Sequence, residues 1–214
     1  MTRRVRLALK SAAWAACLAP LGWLAYRFAT GDLTANPISF VTTTLGDSAL
    51  RILLASLAMT PLRIVFGLSW PVALRRLLGL FAFFYVCLHF TVWIVLDFFF
   101  DWPRMWEDIV KRPYITVGML ALLTLVPLAA TSTAGMVRRL GARTWTRLHR
   151  LAYAAGALGC LHFLWLTKVG RTDQYWHAAA LVALLGVRLG DAIVRRVRRR
   201  RRAAAPAAAG VRTP

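Results

Sequence analysis

Six apolar stretches, each long enough to cross a bilayer, dominate this sequence and dictate what it can fold into. A spanning helix needs ~20 mostly apolar residues, and the segments 7–28, 48–66, 77–97, 114–132, 148–167 and 175–194 meet that requirement. Hydrophobic residues fill 59% of the 214 positions and charged residues 17%. With a mean hydropathy of +0.57, the apolar share exceeds that of a soluble domain, so lipid is the expected solvent. The expected fold class is an all-α membrane protein, a six-transmembrane helix bundle. Its organisation reads as a basic N-terminus (1–6), the bundle (7–194) and a basic tail (195–214), with no internal repeat and no soluble domain. The N-terminal MTRRVR followed by an apolar stretch imitates a signal peptide. That stretch runs from Leu7 to Phe28, long enough to span, and no A-x-A site closes it.

The charge is the second constraint. A net +20 could suggest nucleic acid, but the arginines and lysines sit between apolar runs or at the termini instead of along one soluble face, so no nucleic-acid partner is expected. They read as orientation signals. The N-terminus, the segments 67–76 and 133–147, and the run RRVRRRRR at 195–202 are basic; the connections 29–47, 98–113 and 168–174 hold Asp32, Asp47, Asp101, Glu107, Asp108 and Asp173. Every loop obeys the positive-inside rule if both termini are cytoplasmic. The tail from Ala203 onward is low-complexity and is expected to be disordered.

Trp70, Trp102, Trp106, Trp145 and Trp176 lie at predicted span ends and read as interfacial belt residues. Pro20, Pro61 and Pro127 lie within spans, where neighbouring helices can re-satisfy the freed carbonyls. Cys17, Cys87 and Cys160 form no ligand spacing and read as packing residues.

An ionisable residue inside a membrane is a functional hypothesis by default. His89 lies ~12 residues from the basic end of the third span and His162 ~14 residues from that of the fifth, so both sit ~18–21 Å up. Two imidazoles at one level on different helices suit a six-coordinate haem, one ligand on each side of the iron. The ordinary alternative is two histidines bonded separately to carbonyls or water. His149 lies thirteen residues before His162, ~20 Å lower along a continuous helix, which is a suitable separation for a second redox centre or equally an interfacial position. His177, at the far end of the sixth span, reads as interfacial and is not expected to be a ligand. Arginine supplies bidentate donors to haem propionates and flavin phosphates. Arg63, Arg75, Arg76, Arg147 and Arg150 are candidates, though each also reads as an ordinary positive-inside residue. No hydrolytic constellation and no glycine-rich nucleotide loop is present.

Several blocks occur in order: TPLR (60–63), LRRLLGL (74–80), YVCLHF (85–90), KRPYITVG (111–118), PLAATS (127–132), RRLGARTWTRLHRLAY (138–153) and LHFLWLTK (161–168). Over about residues 7–194 the chain closely resembles the MsrQ family, formerly YedZ, in the ferric reductase-like transmembrane superfamily. The resemblance implies a multi-pass protein of the bacterial inner membrane. It implies electron flow from the quinone pool or a cytosolic flavin reductase, through haem b and FMN, to a periplasmic molybdopterin-containing methionine sulfoxide reductase. The family's haem-associated histidines match His89, His149 and His162. Superfamily members with two bis-histidine haems carry a second histidine on each ligand helix. Counting back thirteen from His89 reaches Arg76 instead, which leaves a single-histidine haem or a flavin at the inner site.

Two other functions compete. A ferric or oxygen reductase of the same superfamily would bring a cytosolic FAD and NADPH domain, for which this chain ends too soon, so a separate donor is expected. A transporter or scaffold would use the histidines as proton carriers or packing groups.

Overall fold

The computed structural model describes residues 2–166 and 172–209 of the chain, and among them there are helices and no strand. The helices are α1 (Arg3–Ala29), α2 (Pro37–Phe66), α3 (Arg75–Val92), α4 (Trp102–Lys111), α5 (Pro113–Ala130), α6 (Ala134–Leu140), α7 (Ala142–Leu148), α8 (Leu151–Trp165) and α9 (Asp173–Ala209). Local chemistry marks their ends. Thr2, Asn36, Asp101 and Thr133 cap α1, α2, α4 and α6 with their side-chain oxygens. Pro37 and Pro113 stand at the first position of α2 and α5, where the missing N–H costs nothing. Gly67, at φ 68°, closes α2 in the left-handed conformation that glycine adopts without strain.

Five helical segments are long and apolar enough to cross a membrane: Arg3–Ala29, Pro37–Phe66, Trp70–Asp97, Pro113–Ala130 and Gln174–Arg201. The remaining expected span, 148–167, contains α8, whose 15 residues extend ~22 Å. Cross-helix contacts fix the directions. Tyr85 on α3, fully buried, donates its hydroxyl proton to Cys17 O on α1 at 2.6 Å, while Trp14 meets Phe81 edge-on, so α1 and α3 run parallel. Ser56 donates to Arg75 O at 2.9 Å, and Thr42 O lies against His89, so α2 runs antiparallel to α3. His162 reaches Tyr114 and His149 reaches Thr131, which sets α8 antiparallel to α5. Asp47 meets His177 and Leu57 meets Arg188, so α9 runs parallel to α2. The bundle therefore alternates up and down, and Arg3, Arg75, His149 and Arg195 share its basic end. α2 is the central element, packed on α1, α3, α8 and α9.

Several sequence expectations change. α2 starts at Pro37, so residues 37–47, expected in a connection, are helical, and the Asn36-Pro37 start signal accounts for it. The connection 98–113 contains α4, which is preceded by a π-helical turn, Trp93–Asp97, and by Phe99 and Phe100 at φ 48° and 63°, a backbone region costly for side-chain-bearing residues. α4 leaves Trp102 and Trp106 exposed and buries Met105, as an interfacial helix would. α9 runs past 194 through the basic run to Ala209. The part of the tail expected to be disordered is thus helical as far as Ala209, in keeping with the high helix propensity of Arg and Ala. Residues 210–214 lie outside the described residues, as do 167–171 in the last connection.

Candidate functional site

His89 on α3 and His162 on α8 face each other across the bundle, with ring centroids 6.4 Å apart and planes at 82°. Each ring is fixed in the same way. The Nδ1–H of His89 donates to Thr42 O on α2 at 2.9 Å, and that of His162 donates to Tyr114 O on α5 at 2.6 Å. A carbonyl can only accept, so Nδ1 carries the proton in both rings and Nε2 keeps its lone pair. One turn after each carbonyl stands a glycine. A Cβ at Gly46 would lie 3.1 Å from Cε1 and Nδ1 of His89, and one at Gly118 would lie 2.9 Å from Nδ1 of His162. Both rings therefore lie against bare helix backbone.

Two imidazoles bound through Nε2 to opposite sides of one metal ion, each at ~2 Å, place their ring centroids ~6 Å apart. The observed pair is at that distance. Among the described residues no cluster of three or more His, Cys, Asp or Glu could hold a metal ion. A bare ion would need more protein ligands, whereas a metal already held in a macrocycle needs only the two axial ones. A cavity of about 690 Å³ lies between the helices, walled by both histidines and by apolar residues that include Leu50, Leu53, Val86, Leu122 and Leu125. Its polar end carries Asn36, Asp97, Asp108, Arg112 and Gln174. The residues fit an apolar disc with charged edges.

His177 is not the wet interfacial residue that its sequence position suggested. It is buried, with its Nε2 3.3 Å from Asp47 Oδ1 and its ring edge-on to Phe163. Asp47, expected in an outer connection, lines the same cavity from α2 and also pairs with Arg51 at 2.7 Å.

The remaining candidates gather at the basic end. His149 sits in the break between α7 and α8, so the expected single helix from His149 to His162 is interrupted. Its Nε2 lies 3.3 Å from Thr131 Oγ1, and its ring stacks on Trp145 at 3.9 Å. Trp145 in turn donates its indole N–H to Thr131 O at 3.0 Å, which makes it part of this cluster instead of a belt residue. The Arg75 guanidinium lies within electrostatic reach of the His149 imidazole. Arg75 is half-buried, whereas Arg76, Arg147 and Arg150 are exposed, so Arg75 and not Arg76 accompanies His149.

Sequence reading missed Thr42, Gly46, Tyr114 and Gly118. Their signal was present: TTTLG and YITVG each place a glycine four residues after the residue whose carbonyl accepts from the histidine. It became meaningful only once α2 and α5 were known to flank the histidines. Arg188, on α9, was also passed over; it lies electrostatically close to Arg75 and Arg63.

Gly118→Ala is expected to displace the His162 ring from Tyr114 O. Titration of the apoprotein with haemin should then show affinity reduced about 10–100-fold, the usual cost of losing a ligand's orienting hydrogen bond, and unchanged affinity would contradict the cradle.

Residues 45–160 match the family described as ferric reductase like transmembrane component, and this interval contains His89 and His149. The chain is 56% identical to the protein-methionine-sulfoxide reductase heme-binding subunit MsrQ of Rhodospirillum rubrum, over 86% of this chain and 89% of that protein. It is 52% identical to the MsrQ of Herminiimonas arsenicoxydans, over 77% and 75% of the two chains. Against the MsrQ of Caulobacter vibrioides it is 47% identical over 80% and 82%. With identity of this order spread across most of both chains, the chain belongs to the MsrQ family of ferric reductase-like transmembrane proteins.

Proposed function

We propose that this chain is a transmembrane electron-transfer subunit of the bacterial inner membrane. It takes electrons at its basic end from the quinone pool or a cytosolic flavin reductase. It passes them through haem b to a periplasmic molybdenum-containing methionine sulfoxide reductase. The observation that carries this reading is the facing pair His89 and His162, each with Nε2 free and Nδ1 committed. The relatives are named as heme-binding subunits of protein-methionine-sulfoxide reductase, which supports both the cofactor and the partner.

When bound, the haem supplies a one-electron Fe(III)/Fe(II) centre. The chain's own residues do the rest. Thr42 and Tyr114 carbonyls orient the imidazoles and raise their basicity. The apolar wall of the cavity excludes water. Arg112, at the polar end beside Asp108 at 2.8 Å, is placed to pair with a carboxylate. At the opposite end the imidazole of His149, with Arg75, would hold the inner cofactor, either a single-histidine haem or FMN. Arg76, Arg147 and Arg150 add surface charge around it. Fourteen residues of α3 separate Arg75 from His89, ~21 Å, a gap that an intermediate centre would shorten.

The basic end faces the cytoplasm in this reading, because all four basic segments lie there. A reporter active only in the periplasm is expected to be active when fused after Asp108 and silent when fused after Arg138; the reverse pattern would overturn the direction of electron flow.

The inner site is tested by haem reduction in oriented vesicles, with the donor on the basic side. His149→Ala and Arg75→Ala should slow reduction while leaving the haem between His89 and His162 in place. Arg76→Ala should have little effect, and Arg75→Lys should rescue in part, since lysine cannot reproduce a bidentate contact. Equal rates and equal cofactor content in all four variants would eliminate the site.

A further inference from the structure

Arg188 is the only arginine or lysine within the apolar stretch 175–194. Part of its role is local. Pro61 has no N–H, so Leu57 O, one turn earlier on α2, lacks its helical donor, and Arg188 Nη2–H supplies one at 2.6 Å. Nη1–H donates to the Tyr153 hydroxyl, over whose ring the guanidinium carbon sits at 4.9 Å. A guanidinium has five N–H donors, and these bonds use two. Its Nε is buried without a hydrogen-bond partner.

Arg75 and Arg63 lie within electrostatic reach of Arg188. Among the described residues none of the three is ion-paired with a carboxylate, and Asp191, which feels Arg63, is bridged to Arg195. Three neighbouring like charges, two of them (Arg75 and Arg188) half-buried on spanning helices, repel one another unless an anion sits among them.

We propose that Arg188, Arg75 and Arg63 bind a carboxylate or phosphate group at the basic end of the bundle, where α2, α3 and α9 meet. Arg188 contributes its Nε–H and remaining Nη hydrogens. Tyr153, which accepts from Nη1, keeps its own hydroxyl proton to donate to the same oxygens. A cofactor at the inner site or a phospholipid headgroup would each bring such a group. The site extends the inner pocket of the proposed function without depending on ligation by His149.

The test uses the full chain in nanodiscs of neutral phosphatidylcholine, titrated with inorganic pyrophosphate and followed by thermal unfolding. Wild type is compared with Arg188→Gln and Arg188→Lys, each also in a Pro61→Ala background, where Leu57 O regains its helical donor and the substitution reports on charge. Pyrophosphate should raise the wild-type midpoint. Its half-effect concentration should rise about tenfold or more in Arg188→Gln, the loss of one charge-assisted contact, and less in Arg188→Lys. Suppression of the response by phosphatidylglycerol in the disc would identify a headgroup as the source, and suppression by FMN or haemin a cofactor. No response in wild type, or an equal response in Arg188→Gln with Pro61→Ala, would overturn the proposal. The absorbance of the haem held by His89 and His162, recorded on the same samples, separates that failure from failure of the electron-transfer reading.

Discussion

Two backbone carbonyls, Thr42 O and Tyr114 O, hold the arrangement on which the rest of the structure depends. Each takes the Nδ1 proton of a histidine on a neighbouring helix, and in the low-dielectric interior an imidazole left without that bond would be costly. The bond fixes the tautomer and holds the ring at the cavity wall with the Nε2 lone pair uncommitted, and the glycine one turn on lets the ring come close. Helices α2 and α5 thus serve as rests for the two histidines that α3 and α8 carry.

The two ends of the bundle differ in chemistry. Around His89 and His162 the wall is apolar, and the charges near it are compensated: Asp47 by Arg51, and Arg112 by Asp108. At the basic end Arg63, Arg75 and Arg188 gather with His149, and no carboxylate is bridged to those arginines among the described residues. One end is suited to a neutral ring with charged edges; the other is suited to anions. Proline links that second end to the fold, because the carbonyl that Pro61 frees is where Arg188 anchors.

The bundle itself was legible because hydropathy is a property of long segments, insensitive to where a helix starts. The pairing of His89 with His162 was legible for the same reason, since depth can be counted along each span. What hid was everything that depends on which helices touch. Gly46 and Asp47 were placed in a connection because polar TTT interrupts the apolar run, yet those threonines donate back to helical carbonyls, as Thr42 and Thr44 do at 2.8 Å. Arg76 was favoured over Arg75 by a thirteen-residue count, but only Arg75 is half-buried and beside His149. Trp145 looked interfacial until its ring was seen stacked on His149. Arg188 gave no periodic or spacing signal at all, and its partner is a carbonyl made available by a proline far away in sequence.

The central claim is that His89 and His162 bind one iron from opposite sides. Electron paramagnetic resonance of the oxidised, purified protein tests it most directly, compared with His89→Ala and His162→Ala at matched haem loading. A low-spin six-coordinate signal in the wild type that either substitution converts to a high-spin five-coordinate one is the predicted result. A low-spin signal that survives both single substitutions would show that another residue supplies an axial ligand, and the pairing would be wrong.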